Sequence, residues 1–105
     1  MITDETFAEI TKRLVDGFQP EQIILFGSQA RGTANKYSDV DILVICSIKG
    51  SRRALTLDMY RALESLSIAK DIVVLTKDEF ERNRRIPGTI ARPAWLEGRV
   101  LYERS

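Results

Sequence analysis

Apolar residues at Phe7, Ile10, Leu14 and Phe18 fall on one face of a helix, with Thr3 placed to cap it and Asp4 and Glu5 in its first turn. Gly17 and Pro20 are expected to end that helix. The run 23–26 is continuously apolar, as in a strand buried on both faces, and the Gly27-Ser28 turn after it opens a short helix. Residues 33–38 are polar and read as a loop, and 40–45 is a second strand. A break over 47–51, with Gly50, precedes a stretch from 52 to 66 in which Leu55, Met59, Ala62, Leu63 and Leu66 recur at three and four. That spacing predicts an amphipathic helix crossing over the sheet. Residues 69–76 give a third strand, and Asp78-Glu79-Phe80 opens a short helix after Thr76 or Lys77. Pro87-Gly88 interrupts the pattern, and any helix beyond it must start late enough to keep Pro93 near its first turn. Gly98 reads as a C-terminal stop, after which 99–102 can add a short last strand. Together these elements predict one α/β (α+β) domain over 1–105, a small mixed sheet of about four strands flanked by helices.

Composition narrows the chemistry. Sixteen basic against 15 acidic residues leave a net charge of +1, so there is no bulk attraction to nucleic acid or membrane and any electrostatic function is local. The chain has no histidine, which removes serine–histidine catalysis and histidine-ligated zinc. A lone cysteine, Cys46, closes an apolar run and reads as a small buried hydrophobe in a reducing compartment. No apolar run approaches the length of a membrane span, and a cytoplasmic location is expected.

Two short stretches carry candidate chemistry. Asp39 and Asp41 stand two residues apart at the entry to the second strand, and side chains at that spacing in a strand share a face. Two hard oxygen donors on one face suit Mg²⁺. The Gly27-Ser28 turn offers unpaired backbone N–H groups and the positive end of a helix dipole, which suit a phosphate. Metal and phosphate together point to a nucleotide. Taken singly, Asp-x-Asp at a strand mouth or Gly-Ser after a strand is a routine turn; their conjunction carries the reading. Gly27 to Gly32 is not a P-loop, because Thr33 replaces the lysine required after the second glycine. The Arg31 guanidinium suits a phosphate or a neighbouring carboxylate equally.

Gly27-Ser28-x-x-Arg31-Gly32, a short gap, and Ser38-Asp39-x-Asp41-x-x-Val44 resemble the signature of the DNA polymerase β-like nucleotidyltransferase superfamily. The likeness is closest to the minimal nucleotidyltransferases that pair with a HEPN protein in toxin–antitoxin operons, and it runs through Asp78-Glu79-Phe80 to the closing Glu97-Gly98-Arg99-Val100-Leu101-Tyr102, nearly the whole chain. The resemblance implies a third acidic residue on a later strand, for which Asp71 in Lys70-Asp71-Ile72-Val73-Val74-Leu75 is the candidate. It implies two Mg²⁺ ions held by Asp39, Asp41 and Asp71, with Asp71 also helping to deprotonate the acceptor, and a triphosphate held at Gly27, Ser28 and Arg31. It further implies transfer of AMP from ATP to a tyrosine of a HEPN ribonuclease toxin in a hetero-oligomer, since a chain scarcely larger than the catalytic core must borrow its acceptor site. Two other readings stand beside it: a non-catalytic antitoxin that masks its partner, and a small-molecule transferase of the aminoglycoside-modifying type, which the missing second domain disfavours. Direct nucleic-acid binding is not expected. Arg82, Arg84, Arg85 and Arg92 form a basic cluster that reads as a solvated face, with a docking surface as the alternative, and Trp95 and Tyr102 read as core or interface aromatics.

Overall fold

The computed structural model describes residues 2–35 and 38–104, so Lys36 and Tyr37 of the expected polar loop lie outside the described residues. In chain order the elements are α1 (Asp4–Phe18), β1 (Gln22–Phe26), α2 (Ser28–Arg31), β2 (Val40–Ile45), α3 (Arg52–Leu63), β3 (Lys70–Leu75), α4 (Lys77–Asn83), α5 (Ala91–Glu97) and β4 (Arg99–Glu103). The strands form one mixed sheet in the order β3-β2-β1-β4, with β1 antiparallel to both β2 and β4 and β2 parallel to β3. A parallel pair needs a crossover, and α3 supplies it.

The apolar strands are explained by cover on both faces. Ile23 and Leu25 of β1, Ile42 and Val44 of β2, and Ile72 and Val74 of β3 pack against Phe7, Ile10 and Leu14 of α1 and Met59 and Leu63 of α3. The alternate residues Ile24, Leu43 and Ile45 pack against Phe80 of α4 and Ala91 and Ala94 of α5, joined by Phe26, Val73 and Leu75. Cys46 is buried, as its apolar setting predicts. Tyr60 of α3 extends its hydroxyl to accept the backbone N–H of Ile72 on β3 at 2.9 Å. No helix among the described residues is long and apolar enough to cross a membrane.

Several boundaries differ from the sequence reading for local reasons. α1 runs through Gly17 and ends at Phe18, after which Gln19 takes a left-handed conformation and its N–H bonds to the Val15 carbonyl. α3 ends at Leu63, and 64–66 tighten into a 3₁₀ turn rather than continuing the α-helix to Leu66. α5 starts late, as Pro93 requires, and places that proline in its first turn, where no intrahelical N–H partner is lost. Gly98 does stop α5, but in extended backbone rather than a left-handed cap. Its role is steric: a Cβ there would collide with the Ala94 carbonyl and with the Ile24 side chain, so only glycine lets the end of α5 close onto β1.

The start of α4 is fixed by a reciprocal cap. Thr76 Oγ1 accepts the Glu79 N–H at 3.2 Å while the Glu79 carboxylate accepts the Thr76 N–H at 2.9 Å and holds Arg52 of α3 at 2.7 Å. These hydrogen bonds, the backbone one first and then Arg52, hold the Glu79 carboxyl below the usual carboxylate range. A depressed folded-state pKa stabilises the fold above the unfolded pKa, and that contribution is lost as pH falls through the folded value. Thr76→Ala is expected to cost about 1 kcal/mol in denaturant melts. The stability gap between the native chain and Glu79→Gln is expected to narrow as the melts are taken to acid pH.

Candidate active site

The site stands where the apolar cover of one sheet face runs out. Asp41 is the second residue of β2 and shares the parity of Leu43 and Ile45, the residues that α4 and α5 cover. The parallel register sets Asp41 directly beside Asp71, while the antiparallel register sets it beside Phe26 at the end of β1. Asp41 and Asp71 therefore project from the same face. Asp39 lies just before β2 rather than within it and is exposed, as is Asp71; Asp41 is partly buried.

The turn between β1 and α2 closes over this point. Gly27 has a φ of 72°, and a Cβ there would collide with Asp41 Oδ2. Glycine is thus required twice, by its backbone and by the carboxylate pressed against it. The Gly27 carbonyl accepts the N–H groups of Ala30 and Arg31 at 3.1 Å, so the preceding N–H groups of Ser28 and Gln29 begin the helix ahead of its first internal bond. Ser28 is half-buried beside them. Arg31, at the other end of α2, reaches Glu97 at the end of α5 at 3.5 Å, with both side chains about half exposed.

Charge ties these residues together. Burial raises the Asp41 carboxyl above its ordinary value, Asp71 and Asp39 raise it further, and Arg31 opposes them. Asp39, Asp71 and Arg31, three of the six residues singled out from the sequence, thus act on a fourth, Asp41, and Gly27 and Ser28 form the adjoining turn. Among the described residues no three acidic or thiol side chains stand close enough to cage a metal ion, so Asp39, Asp41 and Asp71 are not drawn into a ligand cage in this structure. As a donor set they are nonetheless suited to Mg²⁺: hard oxygens, partly exposed, with room for water ligands and a mutual repulsion that a cation would relieve.

Sequence reasoning missed two neighbours of the site. Glu97 is 66 residues from Arg31, with no spacing signal to link them, and its pairing makes the carboxylate role anticipated for Arg31 real in this structure. Phe26, read only as a strand residue, is the β1 partner of Asp41 in the antiparallel register.

A family model for the nucleotidyltransferase domain matches residues 5–101. The chain belongs to that family. The domain is 32% identical over 83 residues to the Methanocaldococcus jannaschii protein named "Putative protein adenylyltransferase MJ0604", covering 78% of each chain. It is 52% identical over 44 residues to a second protein of that organism bearing the same description, but there the match covers 42% of this chain and spans only 28% of the relative. Among solved structures it superposes on a toxin–antitoxin crystallised with AMP-PNP, with a TM-score of 0.69 and 24% identity over 94% of this chain and 74% of that one. A mutant of the toxin–antitoxin MntA-HpeT gives 0.67 and 23% over 100% and 76%. At those identities the structures establish a shared nucleotidyltransferase fold, the small mixed sheet with flanking helices expected from the sequence.

Because Asp41 has a raised folded-state pKa, its contribution to stability is most favourable below the unfolded pKa and is lost as pH rises through the folded value. In metal-free buffer at neutral pH, Asp41→Asn is expected to raise the melting temperature by a few degrees, about 1 kcal/mol or less, and the gain should vanish below the carboxylate range. Gly27→Ala is expected to cost about 1–2 kcal/mol through its left-handed backbone and to displace the Asp41 carboxylate, which a shift of the Asp41 side-chain NMR titration would report.

Proposed function

We propose that this chain, acting as a single domain, is a Mg²⁺-dependent protein adenylyltransferase that moves AMP from ATP to a tyrosine hydroxyl of a HEPN-type toxin, and so serves as the antitoxin of a hetero-oligomeric pair. The observation that carries the reading is the register that sets Asp41 against Asp71, with Asp39 and the Gly27-Ser28 turn around them. The relatives named as protein adenylyltransferases and the toxin–antitoxin neighbours support the choice of a protein acceptor.

Asp39, Asp41 and Asp71 would hold two Mg²⁺ ions, whose charge offsets that developing on the attacking and leaving oxygens of phosphoryl transfer. Gly27 leaves the backbone bare where the triphosphate approaches, and the Ser28 hydroxyl and N–H donate to its oxygens. Arg31 exchanges Glu97 for phosphate through its forked guanidinium. Asp71 receives the proton of the acceptor hydroxyl as that oxygen bonds to the α-phosphorus. The bond from the α-phosphorus to the bridging oxygen breaks, and pyrophosphate departs with the electron pair. The open rim around Asp39 and Asp71 leaves room for a tyrosine carried by another protein.

Purified chain, α-labelled ATP, Mg²⁺ and the product of the adjacent reading frame are expected to give a labelled partner. Asp39→Asn combined with Asp41→Asn should reduce labelling by about 10³-fold or more, the equivalent of several kcal/mol of lost charge stabilisation. Labelling that survives the double change would discard this metal site. Toxin inhibition that persists without ATP and in the double variant would instead favour masking, and nucleotidylation of an aminoglycoside by the chain alone would favour the small-molecule reading.

A further inference from the structure

The stretch 82–96 contains Arg82, Arg84, Arg85 and Arg92 and no acidic residue. The structure gathers it into one surface. Arg84 and Arg85 lie 5.1 and 5.0 Å from the centre of the Trp95 ring, a distance at which guanidinium and indole attract. Arg92 donates to the Arg85 carbonyl at 3.3 Å, and Arg82 to the Asp78 carbonyl at 3.3 Å. Among the described residues none of these four guanidiniums has a carboxylate within 4.0 Å, whereas Arg13, Arg31, Arg52, Arg61 and Arg99 each have one. Arg84 shares a cleft with Glu21, Glu81 and Glu103 without pairing to any of them, and its Nε is buried with no hydrogen-bond partner.

Beside these arginines the chain exposes large apolar groups: Ile86 is 49% exposed, Ile90 46%, Trp95 36% and Leu96 57%. Of the six large hydrophobic residues exposed on the described chain, four belong to this one stretch. An ordinary solvated face would not bring them together. An apolar centre with an aromatic anchor and arginines around it has the composition of a protein interface core. Lysine is absent from this stretch, and an arginine held on a ring loses little freedom when it binds a planar carboxylate in two-point fashion. The position is equally specific. α5 covers the sheet face that carries Asp41 and Asp71, and Glu97, the residue after Leu96, holds Arg31 beside Asp41.

We infer that the turn between α4 and α5 and the outer side of α5 form the docking face for the acceptor protein, which binds through an apolar patch rimmed by aspartate and glutamate and thereby brings its hydroxyl to the rim of the carboxylate site. This rests on the adenylyl-transfer reading for its acceptor, and the test separates the two. The probe is the product of the adjacent reading frame, titrated calorimetrically against the full chain at low and moderate salt. Arg85→Glu combined with Arg92→Glu is expected to weaken binding about tenfold or more and to flatten its salt dependence, while the affinity for a non-hydrolysable ATP analogue and the melting temperature stay unchanged. Arg53→Glu on α3 is the control and should bind as the native chain does. Trp95→Ala, melted in parallel, should weaken binding with little change in salt dependence. Asp41→Asn should bind the partner normally yet transfer nothing, whereas absence of transfer by the native chain with arginine-dependent binding intact would refute the transfer reading and leave this face standing. Unchanged binding in the double arginine variant would overturn the inference. So would tighter binding of an oligouridylate of about 30 nucleotides than of the protein, lost in the same variant, because that would make the face a nucleic-acid surface.

Discussion

The pairing on which the rest depends is the parallel register between β2 and β3. It places Asp41 against Asp71, the largest of the like charges that act on Asp41. The strands can hold two carboxylates side by side because the four rungs that follow, Ile42 with Ile72, Leu43 with Val73, Val44 with Val74 and Ile45 with Leu75, are apolar and covered. A one-residue slip would send Asp41 into the face packed by α1 and α3, where burying an unpaired carboxylate is prohibitive. The hydrophobic pattern thus enforces the register, and the register assembles the acidic rim.

The cost of that rim is visible in the same residues. Asp41 is partly buried and flanked by like charge, both of which disfavour its ionised form. Arg31 relieves part of the strain but divides itself between Asp41 and Glu97. The rim is therefore locally frustrated on a scaffold that is otherwise consistent, the departure from consistency expected of a functional site.

The elements that were legible in the sequence are those dictated by periodicity: the Phe7–Ile10–Leu14 face of α1, the doubly buried β1 and β2, and the late start of α5 forced by Pro93. Asp41 and the Gly27-Ser28 turn were legible from local spacing, whereas Asp71 is reached only through the family resemblance and Asp39 falls just before the strand. What could not be read depends on contacts distant in the chain. Gly98 resembles a helix cap until Ile24 is seen beneath it, and Glu97 has no marker of its pairing with Arg31. Gln19, rather than Gly17, turns the chain after α1, because a left-handed residue is tolerated at the cap once its N–H finds the Val15 carbonyl. The basic stretch before Trp95 was ambiguous for the same reason: whether arginines pair or stand apart is a tertiary fact.

One side-chain hydroxyl has a wider consequence. β3 is an outermost strand, and its outward amides could template a strand from another molecule. By occupying the Ile72 amide, Tyr60 interrupts that template midway along its length. Lateral extension of the sheet past β3 is thereby discouraged, so fibril-like growth is blunted on the side nearest Asp71, and a visiting protein must meet this domain through side chains, not through backbone addition there.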